Sequence, residues 1–200
     1  MAGRGRGWIA GFGIVTVLVS PRVAIAEASE SATISVLLLN QAEVAPDTLE
    51  RAKTEATRIY RGLGITLAWT DADAAVDYHL TVKVVTKAIA GKGIDGRAMG
   101  VAAGTRERRG TLAYAFYSRI EDVTRSIGAD IGLILGLVIA HEIGHLLLPY
   151  DSHARSGLMQ GGWDQKQARR AEMGLVTFTP EEAALIRQRL EGVNATAARR

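Results

Sequence analysis

The sequence predicts an α+β domain. Three observations lead there. Four or five short β-patterned runs fall in the first two thirds of the chain. An uninterrupted apolar run then leads into two histidines four residues apart. A last amphipathic segment opens on a clear helix-start signal. Two hundred residues suit one domain, or one domain plus a processed segment.

The N-terminus has the make-up of such a segment. Arg4 and Arg6 give a basic start, Trp8 to Val19 an apolar stretch, and Ala24-Ile25-Ala26 a small-x-small cleavage signal. Residues 1–26 are thus expected to be a signal peptide and 27–200 a single domain, secreted or periplasmic. An uncleaved membrane anchor is the alternative, but the apolar stretch falls short of the roughly 20 residues that a span requires.

Ile34–Asn40 reads as a buried strand. Pro46 and Asp47 open a helix to about Arg61, with Leu49, Ala52, Ala56, Ile59 and Leu63 on its apolar side and Gly62 and Gly64 ending it. Ile65–Trp69 and Tyr78–Val85 are the next strands, the second alternating between polar and apolar. Glycines at 91, 93, 96, 100 and 104 mark a loop-rich region with a short edge strand near Ala98–Ala102. Leu112–Ser118 reads as a further strand, and helical structure begins within Ile120–Ile127. The histidine-bearing helix follows and ends before Pro149. Thr179 as N-cap, Pro180 at the first helical position and Glu181 and Glu182 in the first turn launch a last helix to about Leu190.

Small residues recur every fourth position at Gly128, Gly132, Gly136, Ala140 and Gly144. Such a stripe lets a helix pack closely on a neighbour, in membranes as in soluble cores. Asp130 leaves only ten apolar residues before His141, too few to span a bilayer. Close helix-on-sheet packing in a soluble core is the expectation.

Charge argues by exclusion. The chain holds 24 basic and 21 acidic residues, and 1–26 contributes three arginines and no acid. The remainder is balanced at 21 of each, so the basic excess that nucleic-acid binding demands is missing. Arg106-Glu107-Arg108-Arg109 is read as a solvated loop. The absence of cysteine excludes thiolate metal ligands, a catalytic thiol and disulfides. Any metal must be held by histidine and carboxylate.

Three of the four histidines fall between His141 and His153. His141-Glu142-Ile143-Gly144-His145 matches H-E-x-x-H. On a helix, positions i and i+4 share a face, so His141 and His145 can grip one zinc ion. Glu142, beside them, is placed to take a proton from water. The bland alternative is a core helix with incidental histidines, but two stacked imidazoles beside a glutamate are costly to bury without a partner. A catalytic zinc usually keeps three protein ligands. His153 is the leading candidate for the third, Asp151 competes with it, and Glu172 is a more distant donor. His79 is read as a core or surface histidine. Tyr150 is a candidate hydrogen-bond donor to a developing oxyanion, or simply a packing group.

With Met159 in Ser156-Gly157-Leu158-Met159, the stretch 141–159 resembles the metzincin zinc peptidases, in layout the matrixins. It departs from H-E-x-x-H-x-x-G-x-x-H: Leu148 stands where the family has glycine, and the third histidine comes two positions late, with Asp151 in its usual place. The resemblance implies a twisted mixed sheet of four to five strands with an active-site helix, a second long helix and a C-terminal helix. It also implies that Met159 forms a floor beneath the metal. The resulting expectation is an exported zinc-dependent endopeptidase, with Zn2+ on His141, His145 and His153 and Glu142 as general base. Its expected partner is a peptide or protein substrate, with no nucleic acid and no membrane after signal cleavage, and the chain is expected to be a monomer. The alternative is a non-catalytic protein of the same fold with a structural zinc or a peptide-binding groove.

Overall fold

A computed structural model describes residues 32–70, 79–88, 96–105, 110–150 and 152–197, the last five as backbone alone. The predicted signal segment 1–26 and the basic run Arg106–Arg109 lie outside the described residues. The elements run β1 (Ala32–Asn40), α1 (Pro46–Arg61), β2 (Ile65–Thr70), β3 (His79–Val85), β4 (Gly100–Ala103), β5 (Leu112–Phe116), α2 (Tyr117–Ile127), α3 (Ile131–Leu147), α4 (Gln165–Glu172) and α5 (Pro180–Ala197).

The strands form one mixed sheet in the order β2-β1-β3-β5-β4. Neighbours are parallel from β2 to β5, and β4 pairs antiparallel with β5 at the edge. Alternation sets the register. Ile34 stands opposite Leu67, Val36 opposite Leu80, Val82 opposite Ala113 and Val84 opposite Ala115, all of them buried. Slipping any strand by one residue would turn this apolar set to the other face.

The α3 helix is buried on nearly every side, as an all-round apolar helix must be. It packs on β5, β4 and α1, and α1 also packs on β2. Gly132 and Gly136 of the stripe serve the contact with α1 and not, as expected, one with the sheet, whereas Gly144 faces Met159 and Phe178. A methyl group built on Gly132 would meet Arg51 Cβ at 2.9 Å, and one on Gly136 would meet the Ala52 carbonyl oxygen at 2.6 Å. Gly128 lies outside α3; it caps α2 in the left-handed conformation, φ 68°. Asp130 begins α3, its carboxylate accepting from the Leu133 amide at 2.7 Å and pairing with Arg51.

Several bounds differ from expectation: β4 is Gly100–Ala103 where the sequence predicts Ala98–Ala102, and α5 runs past Leu190 to Ala197. The fifth strand stops at Phe116 because α2 starts at Tyr117, with no side-chain cap to announce it. The α4 helix has no counterpart among the expected elements: it is eight residues long and buries only Ala168 and Ala171. Thr179 and Glu182 cap α5 reciprocally, the Thr179 amide donating to Glu182 Oε2 at 2.8 Å and the Glu182 amide to Thr179 Oγ1 at 3.3 Å. No helix among the described residues is long and apolar enough to cross a membrane.

Candidate metal centre

The last two turns of α3 carry His141, Glu142 and His145. Just ahead of them Tyr60, fully buried on α1, donates its hydroxyl to the Ala140 carbonyl at 3.1 Å and meets Phe178 edge-on at 5.4 Å. That contact fixes the depth and rotation of the helix where it delivers its ligands. After Leu147 the chain turns back, and His153 comes over the exposed side of the pair.

His145 Nε2 lies 3.0 Å from His141 Nε2 and 3.2 Å from His153 Nε2. Among the described residues, these three side chains are the group able to share one ion. Tetrahedral ligands with zinc–nitrogen bonds of about 2.0–2.1 Å stand roughly 3.3 Å apart, close to this spacing. Proton counting points the same way. His141 Nδ1 donates to the Leu158 carbonyl at 2.8 Å, which leaves Nε2 of a neutral ring as a bare lone pair. His145 Nε2, with one in-plane proton or one lone pair, cannot satisfy two neighbouring nitrogens. A cation among the three resolves the crowding, and an all-imidazole donor set suits zinc.

The surroundings keep the two ligands on the helix, His141 and His145, neutral. Burial, only partly offset by the bond to Leu158, pushes the His141 pKa down to about 4. Burial, then the neighbouring His141 and His153, pushes His145 down to about 3. The lone pairs of these two rings therefore stay available well below neutral pH. Burial acts oppositely on Glu142, pushing its carboxyl up to about 8.

Glu142 Oε2 is buried without a hydrogen-bond partner, a costly arrangement that structural roles seldom retain. Room for the side chain comes from Gly100 on β4. A methyl group there would lie 2.6 Å from Glu142 Oε1 and 2.7 Å from the Tyr114 carbonyl oxygen. The edge strand thus begins directly against the glutamate.

Met159 is fully buried, its sulfur 2.7 Å from where a methyl on Gly144 would stand, so the methionine underlies the helix between the two ligands. Its loop is pinned by Ala154 N donating to the Met159 carbonyl at 2.9 Å and Leu158 N to the Thr177 carbonyl at 2.8 Å. Glu172 is exposed at the end of α4 and does not join the ligand group. Asp151 lies outside the described residues. Tyr150 is 57% exposed, and His79 sits at the exposed start of β3. Three contributors had escaped the sequence reading: Gly100 as the seat of Glu142, the Leu158 carbonyl, and Ser152 Oγ, 3.1 Å from His145 Nδ1. The glycine was visible only as one of several in a glycine-rich stretch; the carbonyl leaves no trace in a sequence.

No protein-family model matches the chain, and no curated protein does. Solved structures do match. A zinc-dependent peptidase from Methanocorpusculum labreanum aligns over 76% of this chain and 99% of its own length, at 13% identity and a TM-score of 0.50. Metalloproteinase-II from Bacteroides fragilis aligns over 82% of this chain at 16% identity and a TM-score of 0.49, and the match spans 55% of that protein's length. The fold is similar to that of the Methanocorpusculum labreanum protein. At such identities the likeness is one of fold, and the chemistry must be argued from this chain's own residues.

Proposed function

We propose that this protein is an exported zinc-dependent endopeptidase of metzincin type, acting as a monomer on peptide or protein substrates. One observation carries the reading: three imidazole Nε2 atoms converge, and the residue next to His141 is a buried glutamate whose Oε2 has no hydrogen-bond partner. His141, His145 and His153 would hold Zn2+. When bound there, the ion would supply Lewis-acid polarisation of a carbonyl and a more acidic water. Glu142 accepts the proton as water attacks the peptide carbonyl and returns it to the leaving amine nitrogen. Burial raises the Glu142 carboxyl to about 8, so it holds a proton firmly enough to carry it to the amine, and a cation bound beside it would favour the ionised form that accepts one. Leu158 holds His141 in the tautomer that presents Nε2, and Met159 supports the turn of helix between the ligands. The edge strand β4, beginning against Glu142, has β5 as its one sheet neighbour among the described residues, and its other side would take an extended substrate.

The test is hydrolysis of a broad peptide library by the zinc-loaded protein and two variants. Glu142→Gln is expected to keep zinc and lose activity by at least about 100-fold. His145→Ala is expected to lose both. A Glu142→Gln protein as active as wild type would overturn the assigned role. Zinc bound by wild type with no hydrolysis anywhere in the library would point to a structural metal instead.

A further inference from the structure

We propose that Ser152 is a positioning residue for the metal centre, holding His145 by its outer nitrogen. This rests on the metal reading above. Because the three Nε2 atoms face one another, the protein can grip each ring only through Nδ1. For His141 that grip is the buried Leu158 carbonyl, set by the backbone. For His145 it is the hydroxyl of Ser152 at 3.1 Å. His145 is less enclosed than His141, so packing restrains its ring less, and the outer hydrogen bond carries more of the task. With the Nε2 lone pair turned inward, Nδ1–H donates and Ser152 Oγ accepts.

The serine's place in the chain adds a second effect. It immediately precedes His153, on the segment that returns from the end of α3. One hydrogen bond therefore sets the plane of the second ring and anchors the loop that brings in the third. Its loss would loosen two ligands of three while leaving the buried His141 in place.

The experiment measures zinc affinity of the full chain by competition with a chelator. Ser152→Ala is expected to bind zinc about 10–100-fold more weakly, the usual effect of removing an outer partner of a ligating histidine. Ser152→Thr, which keeps the hydroxyl, is expected to stay near wild type. In the zinc-loaded proteins, the His145 Nδ1 proton should exchange with solvent faster in Ser152→Ala, with that of His141 unchanged, as followed by imidazole nitrogen NMR. The inference fails if Ser152→Ala binds zinc as tightly as wild type, or if Ser152→Thr is equally weakened. It also fails if, with chelator present, Ser152→Ala and Ser152→Thr lower the melting temperature alike, which would mark general loop collapse. A wild-type chain that binds no zinc would instead overturn the metal reading itself.

Discussion

Glu142 and His141 are buried and His145 is half-buried, all within about one turn of helix, yet the glutamate and the two histidines respond to pH in opposite senses. The glutamate's pKa is raised from 4.5 to about 8, so the fold favours the protonated acid. Its contribution to stability is complete below about pH 4.5 and is lost as pH rises through about 8. The histidines are lowered from 6.5, to about 4 for His141 and about 3 for His145. Their contribution is complete above about pH 6.5 and is lost as pH falls through about 4 and then 3. With chelator present, wild type should therefore lose stability relative to Glu142→Gln between pH 4.5 and 8, as read by urea unfolding at a series of pH values. Parallel profiles for the two proteins would contradict the burial described for Glu142. At this scale the ligand motif was legible because its spacing mirrors the helical repeat. Gly100 and Ser152 were not, since what each contributes depends on another element folding over it.

Among the elements, the pairing of α1 with α3 does most to place the centre. Gly136 faces the Ala52 backbone carbonyl, which cannot yield as a flexible side chain would. Gly136→Val would force the helices apart and move the ligand-bearing turns relative to Tyr60. A loss of about 3 kcal/mol, the upper part of the usual range for overpacking, is expected in denaturant unfolding. No loss would mean that the helices are not in such close contact. The stripe of small residues announced close packing, but nothing in one sequence says whether a helix or a sheet receives it. Periodicity made α1 and β3, and continuous apolar runs made β1 and α3, readable to within a residue or two. The end of β5 was overrun because Tyr114, Phe116 and Tyr117 form a β-like aromatic run that continues into an uncapped helix. The α4 helix escaped because two buried alanines give too faint a pattern.

For the whole molecule, strand order is the part that no local pattern could supply. The run β2-β1-β3-β5-β4 places the one antiparallel strand at the edge next to α3, and so brings Gly100 to Glu142. A domain without cysteine rests on its apolar core and on whatever its histidines bind. The most direct measurement is therefore the metal content of the full chain after zinc loading and extensive dialysis, beside His153→Ala and Asp151→Ala. One zinc per wild-type chain is expected, retained by Asp151→Ala and lost or greatly reduced in His153→Ala. A wild-type chain that retains no zinc, or a His153→Ala chain that keeps it undiminished, would contradict the three-histidine centre.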